Sequence, residues 1–323
     1  MEAGKWRSKM AHIRIPRGWE IPERQATPEP VYLNRRKFLA ALGVAGLGAA
    51  GIPQRLRAAS DDLYPAKRNP AYTLDRPITD EFVSTRYNNF FEFTHLKSEV
   101  KNLAVHLQTD PWTVQVSGLV HKPQVLDFSK LVRRFPLEER LYRLRCIEAW
   151  SMAVPWTGFP FKALIDLVQP MSDARFVRLV SFLRPEEALN QRLLPSHPWP
   201  HSQGLTLAEA TNELAFLVTG MYGHELPKQN GAPIRLAVPW KYGFKSLKSI
   251  VAIEFTAAQP HTFWSDVQPH NFHFTANVDP SERYQGEPQT TEQDIGTGDV
   301  HPTFLYNGYG SFVAHLYERA APR

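Results

Sequence analysis

Short strand-like segments separated by prolines recur along most of this chain, and they constrain its fold more than any other feature. The 323 residues include 27 prolines, which end helices and are excluded from the central strands of sheets. Apolar residues alternate with polar ones, or form short runs, in segments typical of strands at 112–117, 141–146, 176–182, 216–218, 234–238, 249–255 and 311–317. We therefore expect several short strands joined by irregular connections.

Helical signals are fewer than strand signals, and each covers only a few residues. Asp127 is a candidate N-cap for a helix over 128–135, and Thr206 and Glu209 have the spacing of a capping box. An apolar stripe with helical spacing follows Pro160, at Phe161, Leu164, Ile165 and Val168. Because strands outnumber helices, we predict an α+β fold with mixed sheets and short helices.

The first 59 residues differ from the rest of the chain in composition. Arg35, Arg36 and Lys37 directly precede an uncharged run over 38–53 that is rich in alanine, glycine and leucine. The run is too short for a stable membrane span and is typical of a signal peptide, and the paired arginines resemble the twin-arginine type. We predict a leader over 1–59 and one exported domain over 60–323. The alternative is a basic tail beside a buried helix.

The net positive charge of the chain comes from this leader. The chain has 37 Lys and Arg residues and 32 Asp and Glu residues, of which 11 and 4 lie within residues 1–59. The rest of the chain therefore holds 26 basic and 28 acidic residues. This balance lacks the cationic surface of a nucleic-acid-binding protein, so we expect no nucleic-acid partner.

Cys146 is the only cysteine of the chain, which excludes an internal disulfide and a Cys-ligated iron–sulfur cluster. The strand predicted over 141–146 places Cys146 at its end, and strand alternation turns Arg143 and Arg145 away from it. Two interpretations stay open. Cys146 is either a packed, inert thiol or a thiolate that binds a soft metal, with a pKa lowered by the arginines if they lie close in space.

Glycines are interleaved with lysines and arginines between residues 230 and 249. Such a segment forms either a pocket for a planar, phosphate-bearing ligand or a solvated basic loop between strands. His270 and His273 have the spacing of metal ligands, but their neighbours indicate a loop or strand, so a zinc site is the weaker interpretation. The sequence contains neither a Cys-x-x-Cys-His haem motif nor a glycine-rich nucleotide fingerprint.

Four blocks of sequence, taken together and in this order, resemble one known family. They are YNNFFEF at 87–93, RRFPLEER at 133–140, RCIEAWSM at 145–152 and the segment 230–249. The family is the molybdopterin-containing catalytic subunit of the bacterial periplasmic protein-methionine-sulfoxide reductase, within the sulfite oxidase fold superfamily. The resemblance covers nearly the whole chain and implies a sulfite-oxidase-type, molybdopterin-binding fold.

This resemblance implies roles for individual residues. Cys146 is expected to be the protein ligand of molybdenum. Glu148 and Asn89 are expected to form hydrogen bonds near the metal, with Glu148 either a proton source or part of a structural ion pair. The remaining contacts expected for the molybdenum–molybdopterin cofactor are Asn88, Phe91, Glu92, Ser181, Asn230, Arg235, Ser246, Leu247 and Lys248.

Three of these positions depart from the residue that is common in the family. Relatives often have Tyr where this chain has Phe91, and they usually have Thr at Ser181 and Gly at Ser246. A backbone contact with the cofactor would survive such changes. A contact through a tyrosine hydroxyl would be lost at Phe91.

The resemblance also implies an activity and its partners. The hypothesis is oxygen-atom transfer from methionine sulfoxide in oxidised periplasmic proteins to molybdenum, which reverses methionine oxidation. Electrons are expected from a haem-containing membrane partner fed by the quinone pool, and export is expected through the twin-arginine machinery. Sulfite oxidation is the alternative on the same fold, and the acidic Glu148 beside Cys146 disfavours that anionic substrate. A cofactor-free binding or folding helper is the alternative from another class.

Overall fold

The computed structural model describes residues 62–284 and 286–318. The predicted leader with its twin arginines lies outside these residues, so the export signal and the domain boundary at residue 60 stay predictions. Among the described residues, no helix has the length and apolar character needed to cross a membrane.

The described residues contain fifteen strands. In chain order they are Lys67–Arg68 (β1), Thr113–Gly118 (β2), Gln124–Asp127 (β3), Glu138–Arg145 (β4), Trp150–Pro160 (β5), Phe176–Ser181 (β6), Ser202–Thr206 (β7), Phe216–Met221 (β8), His224–Glu225 (β9), Arg235–Ala237 (β10), Ile250–Thr256 (β11), Arg283–Tyr284 (β12), Glu287–Pro288 (β13), Thr291–Asp294 (β14) and Val300–Pro302 (β15).

The helices of the described residues are all short. The α-helices, in chain order, are Glu81–Ser84 (α1), Val100–Ala104 (α2), Phe128–Arg134 (α3), Phe161–Val168 (α4), Leu189–Leu193 (α5), Leu207–Thr211 (α6), Phe263–Val267 (α7) and Gly310–Val313 (α8). Single 3-10 turns occupy Lys228–Asn230, Gly243–Lys245, Leu305–Gly308 and Ala314–Leu316.

The larger sheet has eight strands and is organised around the long strand β5. β4 pairs antiparallel along one edge of β5, while on the other edge β14 pairs parallel with its start and β8 antiparallel with its end. β1 extends the sheet beside β4, β15 extends it beside β14, and β9 and β10 both pair with β8. All residues of β5 except its last are buried, so this strand is covered on both faces.

The second sheet has five strands in the order β3-β2-β11-β6-β7. β2 and β11 pair parallel, whereas the other neighbours pair antiparallel. Alternate residues of β2 and β6 are buried, such as Val114 and Val116 in β2 and Leu179 in β6. They join the same apolar cluster as Val154 of β5, so the two sheets share one core.

The structure confirms the predicted α+β class with mixed sheets and short helices. Six predicted strands correspond to β2, β4, β6, β8, β10 and β11, with bounds that differ by no more than three residues. Asp127 caps α3 by accepting a hydrogen bond from the Lys130 backbone N–H (3.1 Å). Thr206 and Glu209 form both hydrogen bonds of the capping box at α6, and the stripe after Pro160 forms α4.

The strand predicted at 311–317 is wrong, because this part of the chain is helical. Tyr306, Asn307 and Gly308 have φ values of 54°, 53° and 80°, so the backbone turns sharply just before α8. Tyr309 and Val313 are both buried, and their spacing of four places them on one face of a helix. Burial of this face outweighs the weak alternation that indicated a strand.

Candidate active site

A tight turn between β4 and β5 presents Cys146. The backbone N–H of Cys146 donates to the carbonyl of Trp150 (2.8 Å), and that of Ala149 donates to the carbonyl of Cys146 (3.1 Å). Ala149 has φ 60°, a conformation that helps to reverse the chain direction here. The structure therefore confirms that a strand delivers Cys146 at its end.

A cavity of about 340 Å³ lies against the Cys146 side chain. Its walls come from segments that are far apart in the sequence, including the 87–95 segment, the turn after β4 and the 243–248 segment. All of the predicted site residues except Ser181 line this cavity, namely Asn88, Asn89, Phe91, Glu92, Cys146, Glu148, Asn230, Arg235, Ser246, Leu247 and Lys248.

Ser181 is buried behind the cavity wall and is not among its lining residues. Its hydroxyl group donates a hydrogen bond to the backbone carbonyl of Lys248 (2.9 Å). Ser181 therefore acts on the site by holding the backbone of Lys248, and a threonine hydroxyl could make the same bond.

The environment of Cys146 favours the neutral thiol. Burial raises the pKa of the thiol to about 12, and the Glu148 carboxylate adds to this rise. Neither Arg143 nor Arg145 lines the cavity, because strand alternation turns their side chains to the other face of β4, where Arg145 Nε pairs with Glu292 (3.1 Å). The charge of Arg145 does lower the thiol pKa, as expected for a nearby arginine, but burial outweighs this effect. A thiol buried in this way becomes a thiolate when a bound cation compensates its charge.

Glu148 is held beside the thiol by three donors. Its Oε2 atom accepts hydrogen bonds from Asn89 Nδ2 (3.0 Å), Lys97 Nζ (2.9 Å) and Trp150 Nε1 (3.1 Å), and it lies 3.9 Å from Cys146 Sγ. Burial raises the pKa of this carboxyl group, but the three donors outweigh burial, so the pKa is lowered below its usual value. Glu148 is therefore ionised at neutral pH, which favours the ion-pair interpretation over that of a proton source.

Lys97 is a site residue that the sequence analysis missed. Burial lowers the pKa of its ammonium group, but the hydrogen bond and charge of Glu148 outweigh burial and raise it. The charge therefore stays on Lys97 and fixes the position of Glu148. No motif marks this lysine, and its position shortly after the 87–93 block was the only signal available.

Replacing Lys97 by methionine is expected to lower the melting temperature by about 1–3 °C at pH 7, since a partly exposed ion pair contributes little. The sign of the pH dependence follows from Glu148. Its depressed pKa adds stability above the unfolded-state pKa, and this stability is lost as the pH falls through the folded-state pKa. Differential scanning calorimetry between pH 7 and pH 3 should therefore show the difference between wild type and Lys97→Met shrinking in acid.

The exposed Lys122 provides the matched control for this measurement. Lys122→Met removes the same charge from a surface position, so its melting temperature should follow that of the wild type at every pH. A Lys97→Met difference that stays constant down to pH 3 would contradict the assigned ion pair.

Arg235 places a positive charge in the cavity wall without a carboxylate partner among the described residues. Its guanidinium group donates to the backbone carbonyls of Asn230 (2.8 Å), Leu236 (3.2 Å) and Ser246 (3.0 Å). The side chain is buried, and burial lowers its pKa to about 9. The guanidinium group also lies over the Trp156 ring, 5.0 Å from its centroid. A buried cation with only neutral partners such as these is costly unless an anion joins it.

Lys248 adds a second cation to the same wall. Its ammonium group donates to the backbone carbonyl of Asn89 and lies 4.8 Å from the centroid of the Phe90 ring. Burial and the nearby positive charge of Arg235 lower the pKa of Lys248 to about 7. The segment 230–249 is therefore a cavity wall, and the alternative of a solvated basic loop is wrong.

Gly231 is the residue that allows Lys248 to pack closely here. It has φ 106°, and a Cβ atom at this position would lie 2.7 Å from Lys248 Cγ. Only glycine combines this backbone conformation with this space. Gly231 therefore serves the placement of the Lys248 ammonium group.

The comparisons with known proteins agree with this geometry. A family model described as an oxidoreductase molybdopterin binding domain matches residues 101–264. The protein-methionine-sulfoxide reductase catalytic subunit MsrP of Burkholderia mallei (strain ATCC 23344) is 42% identical over 311 residues, which cover 93% of this chain and 94% of that relative. The chain belongs to the family of protein-methionine-sulfoxide reductase catalytic subunits.

A solved structure, that of the sulfane dehydrogenase SoxCD from Paracoccus pantotrophus, is similar to this chain with a TM-score of 0.43 and 14% identity. The similarity covers 87% of this chain and 67% of that chain. The sequence comparisons confirm the predicted enzyme class and the resemblance. They also confirm the predicted cofactor, since the matched domain binds molybdopterin, the ligand that carries molybdenum in such enzymes.

The residues of the cavity fit this cofactor. The Oδ1 atoms of Asn88 and Asn230 are buried without a hydrogen-bond partner, and both asparagines line the cavity. Buried amide oxygens of this kind need a donor, and the pterin ring system supplies N–H groups. Cys146 offers a thiolate to the metal, while Arg235 and Lys248 offer positive charge to the phosphate.

The histidine pair gains no support as a metal site. His270 and His273 are both exposed. Within residues 62–284 and 286–318, no group of three or more histidine, cysteine, aspartate or glutamate side chains is arranged to hold a metal ion. Cys146 therefore stays the candidate metal ligand.

Proposed function

We propose that this protein reduces methionine sulfoxide in oxidised periplasmic proteins to methionine, with a molybdenum–molybdopterin cofactor. The observation that carries the proposal is the placement of the Cys146 thiol in a cavity beside an ionised Glu148, with the cations Arg235 and Lys248 and unpaired amide oxygens in the same walls. The name of the Burkholderia relative, a protein-methionine-sulfoxide reductase catalytic subunit, supports this substrate.

The charge of the cavity favours a sulfoxide over sulfite. A sulfoxide is neutral, whereas sulfite is an anion that would have to approach the Glu148 carboxylate. The Oε2 atom of Glu148 lies only 3.9 Å from Cys146 Sγ, where a metal ligand would hold the reaction centre. Lys97 Nζ lies 2.9 Å from the same oxygen and offsets part of this repulsion, so the charge of Glu148 ranks sulfite second only together with the substrate that the name of the relative prints.

Each part of the cavity has a role in this proposal. Cys146 binds molybdenum, and Asn89 together with the ionised Glu148 orients groups near the metal. The pterin and its phosphate are held by Asn88, Phe91, Glu92, Asn230, Arg235, Ser246, Leu247 and Lys248, with Ser181 fixing the backbone of Lys248.

The reaction takes up two electrons and two protons for each sulfoxide, and it releases one thioether and one water molecule. When bound, the molybdenum cofactor supplies the two-electron redox chemistry that removes the sulfoxide oxygen. The chain has no haem or iron–sulfur motif of its own, so another protein provides the electrons. We propose a haem-containing membrane subunit fed by quinones, and the description of the relative as a catalytic subunit supports such a partner.

The proposed location is the periplasm, reached through the twin-arginine machinery. The paired Arg35 and Arg36 before an uncharged run support this route. Folding in the cytoplasm before export would protect the cofactor during transport.

The testing experiment uses the exported protein, loaded with cofactor. Molybdenum is measured by elemental mass spectrometry, and turnover is followed with reduced viologen and a peptide that contains methionine sulfoxide. We expect near-stoichiometric molybdenum and sulfoxide-dependent oxidation of the dye. Sulfite with an oxidising dye is the parallel assay, and molybdenum-loaded protein that oxidises sulfite but does not reduce the sulfoxide would contradict the proposal.

A further inference from the structure

A small hairpin carries Tyr284 to the cavity. Its strands are β12 and β13, and the backbone N–H of Gln289 donates to the carbonyl of Glu282 (3.0 Å) to close its base. Tyr284 lines the same cavity as Cys146 and Glu148, although its hairpin lies far from both in the sequence. In the sequence, the hairpin comes after the segments that are proposed to hold the cofactor. It is not part of any of these segments.

The base of this hairpin is fixed to the residue that precedes the candidate metal ligand. Arg145 is fully buried, and its Nη1 atom donates to Gln289 Oε1 (3.2 Å) while its Nε atom pairs with Glu292 (3.1 Å). Arg145 also donates to the hydroxyl group of Thr303 (3.1 Å). The position of Tyr284 is therefore set relative to the end of β4.

Aromatic packing holds the Tyr284 ring in the cavity wall. The ring lies edge-on against Phe272, with centroids 5.8 Å apart. Phe272 in turn stacks on Trp264 (5.1 Å) and contacts the edge of Phe244 (4.9 Å). All four rings line the cavity, and we call them the aromatic wall. Such a wall suits the methyl and methylene groups and the sulfur atom at the end of a methionine side chain.

The Tyr284 hydroxyl group is the one phenol in this wall. The described residues give it no hydrogen-bond partner. Burial raises the pKa of Tyr284, and the negative charge of Glu148 raises it further. The hydroxyl group is therefore protonated at neutral pH and able to donate a hydrogen bond.

We propose that Tyr284 is a substrate-binding residue whose hydroxyl group donates a hydrogen bond to the sulfoxide oxygen, while the aromatic wall holds the methyl-sulfur end of the side chain. This inference rests on the proposed function and names the residue that recognises its substrate. Methionine sulfoxide differs from methionine by one oxygen atom, which is a strong hydrogen-bond acceptor. A donor at this place lets the site bind the oxidised side chain and release the reduced one.

The test uses Tyr284→Phe in the cofactor-loaded enzyme, with molybdenum content measured first. This change removes one oxygen atom and keeps the ring against Phe272. Binding is measured by calorimetry with methionine sulfone, which has acceptor oxygens and serves as a non-reducible probe, and with methionine, which has no oxygen on sulfur. We expect the dissociation constant for the sulfone and the KM for methionine sulfoxide to rise about fivefold, with the dissociation constant for methionine unchanged.

Tyr306→Phe is the matched control. Tyr306 is also partly buried, and its ring stacks on Tyr317 (5.4 Å) instead of lining the cavity. Equal changes for sulfone and methionine in Tyr284→Phe would mean a packing effect and would overturn the inference, as would no change for either ligand. A wild-type enzyme that contains molybdenum but does not reduce methionine sulfoxide would instead overturn the proposed function.

Discussion

The variant Cys146→Ser is expected to keep molybdenum, which molybdopterin itself carries, but to lose methionine sulfoxide reduction by more than about a hundredfold, since changes even to residues behind a metal ligand cost 10–100-fold. The physical reason is the softness and acidity of sulfur. A thiolate matches molybdenum as a ligand, whereas a serine hydroxyl group in the same buried place would stay protonated and bind weakly. Elemental mass spectrometry and the viologen assay measure both effects.

The fold should survive this change, because one sulfur atom is replaced by a smaller oxygen in a side chain that is 7% exposed. The melting temperature of the cofactor-free variant is therefore expected to stay within a few degrees of the wild type. Met171→Leu, at an exposed sulfur-containing side chain outside the cavity, should keep both metal and activity. Wild-type rates of sulfoxide reduction by molybdenum-loaded Cys146→Ser would mean that Cys146 is not a ligand of the reacting metal.

The second large effect is expected from substitutions of two lysines in the segment 230–249, Lys248 and Lys245, which should change cofactor content and stability in opposite ways. Lys248 lines the cavity and Lys245 does not. Replacing Lys248 by methionine removes one of two cations available to the phosphate, so the cofactor content should fall about tenfold or more. The cofactor-free protein should lose little stability, because removing the repulsion from Arg235 offsets the loss of the hydrogen bond to the Asn89 carbonyl.

Lys245→Met is expected to give the opposite result. The Lys245 ammonium group is fully buried and donates to the carbonyls of Gly204 (2.6 Å) and Phe274 (2.7 Å). Methionine leaves both carbonyl groups without a donor, which should lower the free energy of unfolding by roughly 2 kcal/mol or more. The fraction of folded protein that binds cofactor should stay as in the wild type.

Fluorescence of the released and oxidised pterin, together with chemical denaturation, measures the two quantities separately. The assignment predicts a crossed pattern, with cofactor content lost in Lys248→Met and stability lost in Lys245→Met. Equal loss of cofactor in both variants would show that cofactor binding depends on the total positive charge of this segment. Lys248 would then have no particular role.

The fold was predictable from sequence where a segment has one buried and one exposed face. β2 alternates between buried Val114 and Val116 and more exposed neighbours, and α4 buries the predicted stripe. β5 was not predicted, because it is buried on both faces and shows no alternation, and Pro155 and Pro160 within it indicate an irregular segment. Periodicity carries no information where burial is complete.

The candidate site was predictable to the extent that its residues stand in recognisable blocks. Cys146, Asn89 and Arg235 were found through the four blocks of resemblance, and the structure places them at one cavity. Lys97 and Tyr284 were missed, because each reaches the cavity through tertiary contacts that no local spacing records. Lys97 reaches the site through its ion pair with Glu148. Tyr284 reaches it on a hairpin whose base forms a hydrogen bond with Arg145 of β4.

The buried guanidinium group of Arg145 has a consequence for the order of assembly during synthesis. Its partners include Gln289, Glu292 and Thr303, all of which are synthesised long after Arg145. Until they emerge, the charge next to Cys146 lacks its partners and the turn after β4 is incompletely held. We therefore expect the metal ligand to reach its final geometry only after the segment 289–303 has been synthesised and has folded against β4, so that cofactor insertion follows the synthesis of that segment.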